Sequence, residues 1–253
     1  MIEQAFRIGS FANIPVRIHW SFFLLIFYII GSGLYDKMDW PSIILLVAFT
    51  LCLFICVVLH EFGHALTAKK FGVKTADIIL LPIGGVARLM NLPQKPSHEL
   101  WIAIMGPVVN LIIAAIIFVG LFITYGAEMI HLFVVELSPR LSVGEFFAML
   151  LQANILLMVF NLVPAFPMDG GRVLRALLAM KTSRLSATLW ASRIGQLASI
   201  GFVIVGFYFE AWTLMLIGVF IFFGASQEYQ FVKRDTKYKD KFIKDYYRRL
   251  INH

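Results

Sequence analysis

Charge is scarce in this chain. Asp, Glu, Lys and Arg make up 15% of its 253 residues, against about 25% in a soluble domain. That shortage excludes an ordinary water-soluble globular domain. Acids are scarcer than bases, 15 against 22, which leaves a formal charge of +7. Cysteine is nearly missing: Cys52 and Cys56 both sit inside an apolar run, which excludes a disulfide framework. The chain has no internal repeat, no low-complexity tract and no polar stretch long enough for a separate soluble domain. Its first apolar run lacks a small-residue cleavage site and is long, so it reads as an uncleaved anchor rather than a signal peptide.

What the chain has in quantity is hydrophobic residue, 60% of the total, with 15% aromatic. Apolar runs of about 17–25 residues can span a bilayer. Six qualify: 17–34, 43–65, 101–124, 146–163, 187–208 and 211–226. The expected fold is an all-α polytopic membrane protein of about six transmembrane helices. Met129 to Val135 is apolar but too short to cross. The bases are distributed unevenly. With the N-terminus in the cytoplasm, all 22 lie inside except Lys37, Arg140 and Arg193. Asp36, Asp39, Glu128, Glu136, Glu145 and Glu210 then fall on the outer side. This is a positive-inside pattern. It fits the inner membrane of a prokaryote, with both termini cytoplasmic.

At the end of the second run stands His60-Glu61-Phe62-Gly63-His64. Histidines four apart share one helix face, so their imidazoles can bind one zinc ion. The glutamate between them can serve as the base that activates water. Residues 43–59 before the motif carry no charge. Ionisable groups at membrane depth are costly and mark function. On the inside-out topology above, His60 lies only about 8 Å from the cytoplasmic boundary, a short path for water.

The stretch from Asn161 to Gly171 breaks the fourth span. Pro164 and Pro167 cannot continue a helix, and Gly170-Gly171 permit unusual backbone angles. Irregular backbone at membrane depth must be covered by protein or line a wet cavity, so this stretch should present Asp169 inward. Every other acid except Glu61 fits a loop, a span edge or the tail. Two histidines need a third protein ligand, and Asp169 supplies one. Asp169 also suits the N-terminal cap of a following helix.

Together these motifs resemble the site-2 proteases, a family of intramembrane zinc metalloproteases. The resemblance rests on His60–His64, on Asn161 to Gly171 and on Gly106-Pro107-Val108-Val109-Asn110. Ile14 to Ser21 and Leu81 to Val86 resemble the compact bacterial and archaeal branch, which includes sporulation-factor proteases. Almost the whole chain is covered. The resemblance implies His60, His64 and Asp169 as ligands of one zinc ion and Glu61 as catalytic base. It makes Asn161 a candidate donor to the oxyanion, a role worth roughly 3–4 kcal/mol in the transition state. It also implies a membrane-tethered protein as substrate. Many relatives carry a PDZ domain between spans, and some end in paired CBS domains; the loops and tail here are too short for either.

Other features are less specific. Ile78–Leu81 and Val86–Met90 read as short strands around a Gly-Gly turn, a re-entrant or β-hairpin element after the second span. That element either packs beside the second span or offers an edge, within residues 78–90, to an extended substrate. Gly106, Pro107 and Asn110 read as helix packing, with a substrate contact by Asn110 as the alternative. Cys52 and Cys56 read as buried thiols rather than metal ligands. Residues 1–226 form the expected catalytic core. Residues 227–253 form a basic, aromatic cytoplasmic tail suited to the anionic inner leaflet; tethering to six spans argues against nucleic acid as its partner. Two other functions use the same residues: a metal transporter with the histidines as a transit site, and a silent pseudoprotease that only binds helices. Transporters commonly show repeated halves, which this chain lacks, and the intact Glu61 argues against silence.

Overall fold

An N-terminal β-hairpin opens the chain where the sequence suggested only the approach to a span. Strands β1 (Ala5–Phe11) and β2 (Ile14–His19) pair antiparallel, with Phe11 opposite Ile14. The two-residue loop puts Ala12 and Asn13 at φ 52° and 67°, as a type I′ turn requires. The period of two was present in the sequence: Ile14 and Val16 are buried while Pro15 and Arg17 are only partly covered. Beside a longer apolar run, that short alternation is easily absorbed into the run.

The expected hairpin after the second span is found as β3 (Thr75–Leu81) and β4 (Gly84–Leu89), antiparallel. The two hairpins join through a parallel pairing of β2 with β3, Val16 lying opposite Ile78. One four-stranded sheet results, in the order β1-β2-β3-β4. The fold is therefore mostly helical rather than all-α. Strand β3 is also interior, so Ile78–Leu81 has no open edge; that edge belongs to β4. Buried Asp77 on β3 accepts from Arg88 Nε at 2.6 Å and meets Arg17 Nε at 3.3 Å. The hydrogen bond to Asp77 holds the Arg88 guanidinium above its ordinary pKa.

Seven α-helices lie among the described residues: α1 (Ser21–Tyr35), α2 (Trp40–Lys70), α3 (Pro96–Tyr125), α4 (Val143–Asn161), α5 (Asp169–Ala179), α6 (Arg184–Tyr208) and α7 (Trp212–Ile251). A 3-10 segment, Gly126–Phe133, follows α3. This computed structural model describes residues 5–82, 84–91, 93–133 and 142–251. Glu136 and Arg140, assigned to an outer loop, lie outside the described residues, as do Val134, Val135 and Ile83.

Among the described residues, five helical segments are long and apolar enough to cross a bilayer: Trp40–Lys70, Pro96–Phe133, Val143–Asn161, Arg184–Tyr208 and Trp212–Tyr238. The expected first span is the exception. Residues 17–19 belong to β2, which leaves α1 with 15 residues. That is about 22 Å of helix, against about 30 Å of hydrocarbon.

Helix α2 has clear boundary signals. Asp39 caps it by accepting from the Ser42 N–H at 3.2 Å, with Pro41 in the first turn. Lys69 and Lys70 occupy its last turn, favourably placed at the negative end of the helix dipole. Gly72, at φ 77°, then turns the chain toward β3.

The chain divides into two compact units, residues 1–94 with 104–160, and residues 95–103 with 161–253. In the first, the sheet packs on α2 through Ile14, Val16, Phe62, Ala65 and Ile78. Phe22, Phe54 and Leu80 join α1, α2 and β3. Ala114, Leu121, Met129, Ala148 and Leu151 join α3, the 3-10 segment and α4. In the second, Phe166, Ala191 and Ala225 form the apolar centre. Helix α7 continues without a break through residues 226 and 227, and Val232 is buried beyond them.

Candidate metal centre

The first half of the site lies where α2 meets α3. His60 and His64, one turn apart on α2, are both buried. Their Nε2 atoms stand 3.1 Å from each other. Two nitrogens bound to one tetrahedral zinc would be about 3.3 Å apart at ordinary bond lengths, so the pair is already arranged for an ion. His60 Nδ1–H donates to Asn110 Oδ1 at 2.9 Å. An amide oxygen only accepts, so this bond places the His60 proton on Nδ1 and leaves the lone pair on Nε2, the nitrogen that could bind a metal. Ligating histidines are commonly oriented in this way. Asn110 is fully buried, and its Nδ2 has no hydrogen-bond acceptor among the described residues.

Two glycines make the helix crossing close enough. A Cβ on Gly63 of α2 would stand 2.5 Å from the Met105 carbonyl oxygen of α3. A Cβ on Gly106 would stand 2.7 Å from His60 Nε2, and closer still to the His64 ring. The histidine nitrogens thus face a glycine, where any side chain would fill their space.

Glu61 sits between the two histidines, and β4 runs against it. The Ala87 backbone N–H donates to Glu61 Oε2 at 2.9 Å. Cys56, on the same helix, is a buried free thiol contacted by the Asn154 side chain of α4. Cys52 is also free but only partly buried, so the expectation of buried thiols holds for Cys56 alone.

The second half is built by the proline-containing loop and α5. Asp169 is the first residue of α5 and is buried, with Met168 as the N-cap. The dipole at that helix end favours a carboxylate. Arg172 Nη1 approaches Asp169 Oδ1 at 3.9 Å. A Cβ on Gly170 would strike the Val163 and Leu162 carbonyls, and one on Gly171 would stand 2.6 Å from Phe166 N. The two glycines therefore let α5 begin directly on the loop that precedes it. A Cβ on Gly224 of α7 would stand 2.7 Å from Pro167 Cδ. Asn161 ends α4 and is half-buried.

Behind the loop lies an ionic cluster that sequence reading missed. Arg175 of α5 is fully buried. It pairs with Glu99 of α3 at 2.5 Å and with Glu228 of α7, and it lies 5.0 Å from the centre of the Phe166 ring. Arg184 of α6 also reaches Glu99, at 2.6 Å. Burial alone would push Arg175 down, but Glu99 and Glu228 hold its guanidinium above the ordinary value. The sequence offers no local signal for a cluster drawn from four separate helices.

His60, His64 and Asp169 each offer one ligand atom, and the three atoms lie within 4.8 Å of one another, a group that could hold a metal ion. Two imidazoles and a carboxylate form a common donor set for catalytic zinc, which leaves one position open.

Residues 48–207 match Peptidase family M50. The chain belongs to that family, the site-2 protease class of zinc metalloproteases. It is 37% identical over 246 residues to a zinc metalloprotease of Methanocaldococcus jannaschii, covering 96% of this chain and 66% of that one. Stage IV sporulation protein FB of Bacillus subtilis is 27% identical over 125 residues, 49% of this chain and 38% of its own length. The chain thus spans less than two thirds of the length of either relative. Among solved structures, the site-2 protease from Methanocaldococcus jannaschii matches with a TM-score of 0.61 and 36% identity, over 89% of this chain and 95% of that one.

Proposed function

We propose that the chain is an intramembrane zinc metalloprotease that hydrolyses a peptide bond in or near a transmembrane segment of a membrane-tethered substrate. The observation that carries this reading is a buried ligand group of two histidines and an aspartate with Glu61 between the histidines. Membership of Peptidase family M50 supports it. His60, His64 and Asp169 are the proposed zinc ligands. Zinc held there supplies a Lewis acid that polarises the scissile carbonyl and acidifies water.

The chain's own residues supply the rest. Glu61 takes the proton from the attacking water and passes it to the leaving amine. Its Oε2 is engaged by Ala87 N–H, so Oε1 is the oxygen that handles the proton. Asn161 donates its amide N–H to the carbonyl oxygen as negative charge develops. A helical substrate must unwind locally before its peptide bond is accessible.

The proposed setting is the cytoplasmic membrane of a prokaryote, with both termini inside. The inside excess of Lys and Arg supports that orientation. Residues 1–226 are the proposed catalytic core. Residues 227–253 are its basic extension, meeting the anionic inner leaflet first through Lys233, Arg234 and Lys237. The proposed partners are a transmembrane protein substrate and lipid, not nucleic acid.

The test uses purified protein in detergent with a tagged transmembrane-segment substrate, wild type beside Glu61→Gln. The expected outcome is one zinc per chain in both and cleavage only by wild type. Metal flux in vesicles that survives Glu61→Gln, with no cleavage by wild type, would replace the protease by a transporter.

A further inference from the structure

We propose that strand β4 is a positioning element for the catalytic base, acting through the Ala87 backbone N–H. The inference rests on the reading of Glu61 as the base and adds what aims it. Three observations support it. The Ala87 N–H donates to Glu61 Oε2 at 2.9 Å. Strand β4 is an edge strand, pairing with β3 on one side only. A Cβ on Gly85 would stand 2.8 Å from Glu61 Cγ and 3.0 Å from Val57 Cγ1.

The geometry has a chemical consequence. A glutamate side chain has three rotatable bonds and two equivalent oxygens. On α2 alone, Glu61 would distribute over several rotamers, few of them aimed at the reacting water. The strand removes that freedom in two ways. Gly85 brings backbone against the Cγ stem, and Ala87 N–H ties up one oxygen. The other oxygen is left in one place to take the proton. Catalytic groups must be held within about 0.5 Å of the productive geometry, and a misplacement of about 1 Å can cost 100-fold. This also accounts for a glycine at residue 85: any side chain there would push the base away.

Ala87→Pro tests the inference directly. Proline is tolerated on an edge strand where the N–H points away from the sheet. The Ala87 N–H points to Glu61 rather than to β3, so the substitution deletes this donor and spares the ladder. The assay is cleavage of the tagged transmembrane-segment substrate that wild type cuts, with zinc content and thermal unfolding measured on the same preparation. The expected result is a kcat lower by about 10–100-fold, KM within twofold of wild type, and full zinc. Gly120→Ala, on α3 with nothing within 4 Å of its added Cβ, should retain wild-type kcat. Should Ala87→Pro fail to fold, Gly85→Ala takes its place, with the same fall in kcat expected at full zinc.

An unchanged kcat in folded, zinc-loaded Ala87→Pro overturns the proposal. So does a raised KM at unchanged kcat, which would assign the β4 edge to substrate pairing. Cleavage by Glu61→Gln would instead overturn the assignment of the base itself, so the two failures are distinguishable.

Discussion

Adding one methyl group at residue 106 should empty the metal site. Gly106 lies on α3 opposite the histidines of α2. A Cβ there would sit 2.7 Å from His60 Nε2 and nearer still to the His64 ring, where ordinary contact begins at 3.4 Å. The neighbours would have to retreat by at least the difference, about 0.7 Å. The His60 ring cannot simply rotate away, because Nδ1 is tied to Asn110. The helices cannot simply part either, since α2 and α3 meet backbone to side of backbone at Gly63. Metal sites tolerate distance errors of about 0.2 Å. Gly106→Ala should therefore weaken zinc binding by at least the 10–100-fold typical of disturbed outer-shell contacts, about 1.4–2.7 kcal/mol. Overpacking should cost a further 1–3 kcal/mol or so of stability. The assay is chelator competition in detergent, with metal content read by atomic emission. Gly120→Ala is the control, since it lies on the same helix with nothing within 4 Å of its added Cβ. Wild-type zinc affinity in Gly106→Ala would refute the assignment of the facing nitrogens as ligands.

Two further substitutions test the supporting contacts. Asn110→Ala leaves the His60 Nδ1–H without its acceptor and should weaken zinc binding by roughly 10–100-fold. Asn110→Asp, whose carboxylate accepts the same N–H, should restore most of it; equal losses in the two variants would assign Asn110 to packing alone. Arg175→Met leaves Glu228 without its buried partner and Glu99 with Arg184 alone, and should cost about 3–5 kcal/mol, read as a large drop in thermal unfolding temperature. Lys181→Met, at an exposed residue, should stay within about 0.5 kcal/mol; a similar small effect in Arg175→Met would mean the cluster is not holding the unit together.

The sequence was most informative where chemistry and periodicity are local. The charge-free run before His60 announces α2, and the short apolar stretches Ile78–Leu81 and Val86–Met90 around a Gly-Gly turn announce β3 and β4 to within three residues. The three proposed ligands could be picked out because His60 and His64 share one helix turn and Asp169 begins a helix after a broken span. What escaped is non-local. The β2–β3 pairing joins residues some 60 apart, and no short window encodes it. Arg175 and Glu99 are 76 residues apart, and each looks like an ordinary span-edge charge by itself. Asn110 is a different case, because a signal was present. It lies four residues after Gly106, one turn along the same helix face. A glycine that admits the histidines and an asparagine that orients one of them are therefore stacked on α3.

Glycine, rather than charge, marks the proposed catalytic machinery in this chain. Polar groups in an apolar protein must be satisfied by other protein groups, and here the backbone and its nearest side chains do that work. The backbone must approach closely, and close approach requires that there be no Cβ. Gly85 brings β4 against Glu61, Gly63 brings α2 against the Met105 carbonyl, and Gly106 opens the space that the histidine nitrogens face. Gly9, Gly31, Gly120 and Gly201 have nothing within 4 Å of an added Cβ. The same residue type thus divides into two physical classes that sequence cannot separate. The structure separates them, and the crowded class in the first unit includes each glycine that touches His60, Glu61 or His64. On the proposed function, an enzyme that works on peptide bonds at membrane depth has few polar side chains available to align its catalytic groups. Backbone then aligns the proposed base Glu61 instead, which ties its aim to the position of a single edge strand.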